Sequence, residues 1–349
     1  MKRHIISQDA TLREALGALN ALSGGALTLI ATDRRGAMTG TLTDGDVRRA
    51  LLRGAALDDA VASAMNRRFH ALRADAVDVA ALAEARERGI RLLPLLNSDG
   101  AVTRIIDTAV TTTLLPLRAV IMAGGRGERL RPLTLTTPKP LLKIGGKPII
   151  DYNIAMLARA GITDITVTTH YLAPQLEAHF AREVEGVSVR CVREDSPMGT
   201  IGAVRLAGIP ATGATLVMNS DLLTTISLEQ MWLRHEREGA DLTVASVPYS
   251  VSVPYAILDT AADGAVTSLL EKPSYSYEAN AGIYIINNER LRAIPADRRY
   301  DATDLIEDVI ASGGRVVTHP IGGVWIDIGA PDDFRRASEL IDAHRQLIR

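Results

Sequence analysis

Hydrophobic patterning changes character near residue 116. Beyond it, short apolar runs alternate with stretches of helical period. Residues 118–122, 164–169, 187–192 and 215–218 are brief and apolar, as strands buried on both faces of a parallel sheet are. Residues 149–160 and 173–180 carry apolar side chains at helical spacing, and Pro148 stands where a helix can begin. Residues 201–207 extend the alternation, and 332–347 read as an amphipathic helix, with Asp332 and Asp333 placed to cap it. This alternation predicts an α/β fold: a mainly parallel mixed sheet with helices on both faces.

Before residue 116 the pattern repeats after about 65 residues. A helix over 11–22, a strand over 27–31, a turn over 33–36 and a strand over 39–42 recur at 77–88, 92–96, 97–100 and 102–106. Gly36-Ala37 aligns with Gly100-Ala101, and Leu42 with Ile106. A helix, two strands and a helix given twice resembles a pair of CBS modules, most closely at Gly40-Thr41-Leu42-Thr43-Asp44-Gly45-Asp46-Val47. The resemblance implies an α+β pair over residues 1–115 that serves regulation or dimerisation. It also implies a regulatory nucleotide with phosphate on Thr43 and ribose on Asp46. Asp107 and Val110 stand at those places in the second copy, so one site is expected. Thr43 equally suits the cap of a helix starting at Asp44.

The composition narrows the function. With 349 residues and 47% hydrophobic content the chain can bury the cores of two domains. A net charge of −2 argues against a general nucleic-acid or anionic-membrane binder. The single cysteine, Cys191, excludes an internal disulfide and a cysteine-rich zinc site. The N-terminus has no apolar core of signal-peptide length, and no stretch reaches the roughly 18 apolar residues of a membrane span. A soluble cytoplasmic protein without membrane contact is expected.

Chemistry concentrates after the strand at 118–122, in Ala123-Gly124-Gly125-Arg126-Gly127-Glu128-Arg129-Leu130-Arg131-Pro132-Leu133-Thr134. Glycines at a strand's carboxyl end let backbone amides approach a polyphosphate. No Gly-Lys-Ser/Thr follows, so this is not a Walker A loop, and Leu130 breaks the dinucleotide fingerprint at its third glycine. Arg129 follows instead, and nine residues later Pro138-Lys139-Pro140 fixes a second cation. Two cations suit a triphosphate and its departing pyrophosphate. The two elements together closely resemble the signature of sugar-1-phosphate nucleotidyltransferases, in particular their guanylyltransferase-like branch. That resemblance covers residues 117–349 and implies a Rossmann-like nucleotide-binding core with an inserted sugar-binding part. It implies that Gly124, Gly125 and Gly127 contact the nucleotide, that Arg129 stabilises the leaving group, and that Lys139 holds phosphate at the reacting centre.

Asp221 in Asn219-Ser220-Asp221 and Asp327 in Trp325-Ile326-Asp327-Ile328 each follow an apolar stretch. The family places an aspartate in both contexts to hold Mg2+, a cation that favours one or two carboxylates together with substrate phosphates. On the sugar side the resemblance points to Gly199 in Pro197-Met198-Gly199-Thr200, to Glu271 and Lys272 before Pro273, and to Asn280. His170 follows a strand and reads as a structural histidine that could also line the cleft. The implied reaction moves a nucleotidyl group from a nucleoside triphosphate, GTP by preference, to a sugar 1-phosphate of hexose, amino-sugar or heptose type. Pyrophosphate leaves, and no strong general base is needed because the attacking phosphate oxygen is already anionic. A homodimer is expected from the CBS-like half. The competing reading is a non-catalytic protein that senses sugar nucleotides.

Overall fold

The computed structural model describes residues 2–22, 25–74, 79–296 and 298–343. It divides into two compact units, Met1–Pro116 with Arg159–Gly161, and Leu117–Ala158 with Ile162–Arg349.

In the first unit β1 (Ile5–Ser7), α1 (Leu12–Ala21), β2 (Thr28–Thr32), β3 (Met38–Thr43) and α2 (Asp44–Leu52) precede β4 (Leu72–Arg73), α3 (Val79–Glu87), β5 (Leu92–Leu96) and β6 (Val102–Asp107). Two three-stranded sheets result, β1-β2-β3 and β4-β5-β6. In each, the first pair is parallel and the second antiparallel. The repeat therefore includes a leading strand in each copy that is too short to show a period. The tight turns repeat in detail. Asp33 Oδ1 accepts from the amides of Arg35 (2.8 Å) and Ala37 (2.9 Å), and Asn97 Oδ1 from those of Asp99 (3.0 Å) and Ala101 (2.9 Å). Ala37 bridges to Ala101, and the Met38 amide donates to the Gly100 carbonyl at 2.9 Å. Equivalent residues meeting one another indicate an approximate two-fold between the copies. Each copy has its own core, around Leu12, Leu29 and Leu42 in one and Leu82, Leu93 and Ile106 in the other.

The closing helix of the expected repeat forms only once. α2 has no counterpart after β6, where the chain turns at Asp107 and runs on irregularly. The run Val110-Thr111-Thr112-Thr113 is β-branched throughout and disfavours helix. The helix expected over 77–88 is seen from Val79, and 77–78 lie outside the described residues.

The second unit contains β7 (Arg118–Ala123), β8 (Lys143–Ile144), β9 (Lys147–Pro148), α4 (Ile149–Arg159), β10 (Ile165–Thr169), α5 (Ala173–His179), β11 (Val189–Arg193), β12 (Ala214–Asn219), β13 (Leu222–Thr224), α6 (Leu228–Arg237), β14 (Leu242–Ser252), β15 (Ile257–Thr260), β16 (Val266–Leu270), β17 (Ser274–Asn287), α7 (Asn288–Arg292), α8 (Ala302–Ala311), β18 (Val316–Pro320), β19 (Trp325–Asp327) and α9 (Pro331–Ala343). Seven strands form one sheet in the order β11-β10-β7-β12-β17-β14-β18. β11, β10, β7 and β12 run parallel, β17 is antiparallel to both neighbours, and β14 is parallel to β18. This is the expected mainly parallel mixed sheet. β10 is buried along its whole length, which explains its unbroken apolar and threonine sequence. Residues 202–207 form a short 3-10 turn. Asp333 accepts from the Ala330 amide at 2.8 Å and caps α9, whereas residues 344–347 of the expected tail helix lie outside the described residues. No helix of the described residues is long and apolar enough to cross a membrane.

Candidate active site

Four parallel strands end at one place. Gly124 follows β7, His170 follows β10, Glu194 follows β11, and Ser220-Asp221 follow β12. Together they line a cleft of about 720 Å³. The carboxyl ends of parallel strands are where open α/β sheets bind ligands.

The glycine-rich loop forms one wall, with Gly124, Gly125, Gly127 and Arg129 all on the cleft. Gly124 is needed for close approach: a Cβ there would lie 2.5 Å from Glu194 Oε1. Residues 127–136 are braced from below. Thr134 Oγ1 donates to the Gly127 carbonyl (2.8 Å), Tyr171 OH to the Thr134 carbonyl (3.0 Å), and Gln175 Nε2 to the Thr136 carbonyl (2.8 Å). These contacts fix the segment that carries Arg129 against the end of the glycine loop.

Lys139 lies in a 3-10 turn between Pro138 and Pro140 and is buried. Its ammonium pairs with Asp221 Oδ2 and lies 3.8 Å from Asp327 Oδ1. The two aspartates are brought together by the antiparallel pair β13–β19, which sets Leu222 opposite Asp327. The Ile328 amide also donates to the Asp221 carbonyl at 3.1 Å. Residues 82 and 188 positions beyond Lys139 thus converge on it. Burial, and then the charge of Asp221, push the Asp327 carboxyl above its ordinary range, against the opposing pull of Lys139 and Arg129. Arg129 packs over Gly329, where a Cβ would lie 2.9 Å from its guanidinium.

Asp221 Oδ1 is buried and has no hydrogen-bond partner. A buried carboxylate oxygen left unpaired, next to a second carboxylate, is a donor set suited to a hard cation that takes its other ligands from phosphates. No cluster of three or more acids, histidines or cysteines able to hold a metal occurs among the described residues. The pair is therefore the carboxylate contribution that Asp221 and Asp327 offer to such an ion.

On the sugar side the structure divides the expected residues. Gly199 lines the cleft, with a positive φ of 88° and a Cβ position that would collide with the Tyr300 carbonyl. Glu271, Lys272 and Asn280 do not line it, and all three are exposed. β14 and β17 stay paired as far as Ser252 and Ser274, so the turn carrying Glu271 and Lys272 belongs to a ribbon that outruns the sheet. Asn280 turns its Oδ1 to the Gly282 amide at 2.9 Å.

Sequence reasoning did not single out Glu194. It is buried, accepts from the Met198 amide at 3.2 Å, and has its carboxyl raised by burial, opposed by that hydrogen bond and by His170. It directly follows β11, as Asp221 lies two residues past the end of β12, so the same strand-end rule finds it. His170 lines the cleft and also has a structural role, its Nδ1 donating to the Glu194 carbonyl at 3.1 Å. In the first unit, Thr43 and Asp46 form a capping box on α2. Thr43 Oγ1 accepts from the Asp46 amide (3.3 Å), and Asp46 accepts from the Thr43 amide (2.8 Å) and from Arg49 (2.5 Å). Burial raises the Asp46 carboxyl, but these hydrogen bonds outweigh it and hold the group below its ordinary range.

Residues 118–344 match the family described as nucleotidyl transferase. The zebrafish mannose-1-phosphate guanylyltransferase catalytic subunit beta is 31% identical over 226 residues, which span 62% of this chain and 62% of the zebrafish protein. Mannose-1-phosphate guanylyltransferase of Mycobacterium tuberculosis is 30% identical over 226 residues, 63% of each chain. This chain thus spans somewhat over three fifths of the length of the curated relatives it matches. Among solved structures, HddC of Yersinia pseudotuberculosis in complex with GMP-PN aligns with a TM-score of 0.50 and 25% identity, covering 64% of this chain and 98% of HddC. The match over residues 118–344, on the unit that holds the cleft, shows that the chain belongs to the nucleotidyl transferase family.

Proposed function

We propose that the second unit transfers the guanylyl group of GTP to a sugar 1-phosphate, with mannose 1-phosphate the first candidate, and releases pyrophosphate. The observation that carries this reading is the meeting of Lys139 with Asp221 and Asp327 beside a braced glycine loop. The names of the relatives support the choice of base and sugar. Glu194 supports guanine on chemical grounds. Guanine presents two adjacent donors, N1–H and the 2-amino group, and a fixed carboxylate accepts from both.

In the step itself, an anionic oxygen of the sugar phosphate attacks the α-phosphorus. The bond from that phosphorus to the bridging α–β oxygen breaks, and pyrophosphate departs with the electron pair. Lys139 holds phosphate oxygens at the reacting centre, and Arg129 meets the charge that grows on the leaving group. Glu271 and Lys272 would orient the sugar and its phosphate. When bound by Asp221, Asp327 and the substrate phosphates, Mg2+ would supply further charge compensation. No side chain has to remove a proton.

For the first unit we propose a CBS-type regulatory or dimerising pair. The duplicated sheet order and the Ala37–Ala101 meeting support this. A nucleotide at Thr43 and Asp46 would have to displace the helix cap and the Arg49 pair.

The test is pyrophosphate release over a matrix of four nucleoside triphosphates and several sugar 1-phosphates, with and without Mg2+. Release specific to GTP and one sugar phosphate is expected. Folded protein that binds nucleotide yet releases no pyrophosphate with any pair refutes catalysis and leaves the sensing reading.

A further inference from the structure

Between β11 and the 3-10 turn at 202–207, Pro197, Gly199 and Thr200 line the cleft. Residues 194–201 form neither helix nor strand, so contacts from elsewhere set their place. At one end Glu194 accepts from the Met198 amide at 3.2 Å. At the other end the start of α8 takes over. The Tyr300 amide donates to the Met198 carbonyl at 2.9 Å, and the Tyr300 carbonyl accepts from the amides of Ile201 (3.3 Å) and Gly202 (3.1 Å). Asp301 Oδ1 then accepts from the Thr200 amide at 2.7 Å, and Thr200 Oγ1 accepts from the Ala302 amide at 2.8 Å. The first amides of a helix need acceptors from outside its own ladder. In α8 one of them is served by the wall of the cleft, and the wall's Thr200 amide is served by the residue that starts the helix. The bond from Thr200 to a carboxylate is the stronger kind, since its acceptor is charged.

We infer that Asp301 is a positioning residue for the sugar 1-phosphate, acting through Thr200 on the wall that Gly199 and Thr200 present to the cleft. Three observations meet here. The exchange between Thr200 and α8 joins residues 101 positions apart, so it fixes this wall to a distant element rather than closing a local turn. That element is itself anchored: Leu305 and Val309 of α8 share one buried core with Ile201 and Val204, which follow the wall directly. The wall therefore takes its shape from a packed core before substrate binds. The nucleotide side is supported separately. Thr134, Tyr171 and Gln175 brace the segment after the glycine loop, and the Glu194 carbonyl accepts from His170. None of those contacts runs through Asp301, so its loss should be felt by the sugar 1-phosphate and not by the triphosphate. Arg299 Nε also lies 3.6 Å from Asp301 Oδ2, but the Arg299 side chain is 70% exposed, and a pair of that kind contributes little.

The role for the sugar 1-phosphate rests on the reading of Gly199 given above, whereas the clamp itself is separable from catalysis. Hydrogen exchange on the full chain without substrate reads the clamp. In Asp301→Ala the amides of Thr200 and Ala302 should lose protection together, and unchanged exchange at both overturns the inference. Kinetics with GTP and mannose 1-phosphate, or with the pair that the wild type prefers, read the positioning. Asp301→Ala should raise KM for the sugar 1-phosphate about tenfold or more, while the Kd of the triphosphate alone stays within about twofold of wild type. Asp301→Asn keeps the acceptor for Thr200 and gives up the charge, so it should restore most of the lost KM. An asparagine variant as impaired as the alanine variant overturns the inference in favour of the Arg299 pair. Equal weakening of both substrates, or a lower melting temperature with unchanged kinetics, overturns it in favour of a helix cap alone. Should Asp301→Ala fail to fold, Thr200→Val and Thr200→Ser decide. Valine removes the hydroxyl that caps α8 and should raise the same KM, and serine keeps it and should not; equal effects of the two overturn the clamp. A wild type inactive with every pair refutes the proposed reaction and the positioning role with it, while exchange still decides the clamp.

Discussion

Replacing Lys139 by alanine removes the only ammonium between Asp221 and Asp327, and its consequences can be worked from the site. A unit charge about 4 Å from a phosphate oxygen, at the effective dielectric near 20 of such sites, is worth about 4 kcal/mol. Deleting one preorganised group that stabilises a transition state costs about 2.7–4 kcal/mol. Both figures put the loss in kcat at roughly 100- to 1,000-fold. The fold should survive. Breaking a fully buried ion pair costs about 3–5 kcal/mol, but the side chains of Asp221 and Asp327 are 20% and 40% exposed and can draw on solvent, so the loss falls below that. The same change takes the ammonium from Asp221 and leaves Asp327 with Arg129 as its remaining cation, so the variant should need less Mg2+ for half-maximal residual activity than the wild type. The assay is pyrophosphate release under a Mg2+ titration, with thermal unfolding followed alongside. Turnover within tenfold of wild type in a folded variant, or a Mg2+ requirement that rises, would refute the placement of Lys139 at the reacting phosphate and between the metal ligands.

Asp221→Asn should raise the Mg2+ concentration for half-maximal activity by about tenfold or more, and an unchanged titration would remove the ligand role. Glu194→Gln should erode discrimination between GTP and UTP by about 10- to 100-fold, the worth of a hydrogen bond to a charged group; an unchanged ratio of kcat/KM values would show that the base is read elsewhere. Burial holds the His235 imidazole below its ordinary range, although Asn287 and nearby acids oppose this. The unfolded chain therefore binds more protons below about pH 6.5, and stability should fall as pH drops through that region, by at most about 1.4 kcal/mol per pH unit for one group. Urea melts of wild type and His235→Asn between pH 5 and 7 check this, the variant giving the shallower slope. Burial, and secondarily Glu177, push the Cys191 thiol up to about 11. Thiolate is then roughly a thousandth of the total at pH 8, so iodoacetamide should label the folded protein far more slowly than the unfolded one, and equal rates would refute it.

The parts of this molecule that were legible in the sequence are those governed by local rules. Buried parallel strands appear as apolar runs, which located β7, β10, β11 and β12 and so the mouth of the cleft. The strand-end rule gave Asp221, and applied once more it gives Glu194. Short matches carried less. Thr43-x-x-Asp46 reads as phosphate and ribose ligands or as a capping box from the same atoms, and only the hydrogen bonds of α2 show the cap. Glu271-Lys272-Pro273 identifies residue types but not where a fourteen-residue strand carries them, because reach depends on how far β14 and β17 stay paired. β1 and β4, at three and two residues, are shorter than any window in which a period shows.

The charge balance at the cleft explains why substrate and metal should act together. Asp221 and Asp327 are formally offset by Lys139 and Arg129, so the free site is close to neutral and tolerates the burial of Lys139. A triphosphate alone would set several negative charges against two acids that already hold the available ammonium. A divalent cation alone would meet that ammonium at the oxygens it needs. Both arriving together would resolve the conflict: Asp221, whose Oδ1 has no partner, and Asp327 would hold the cation, and Lys139 would be free to meet the phosphates. Nucleotide affinity should therefore rise with Mg2+ and Mg2+ affinity with nucleotide by the same factor, as linkage requires.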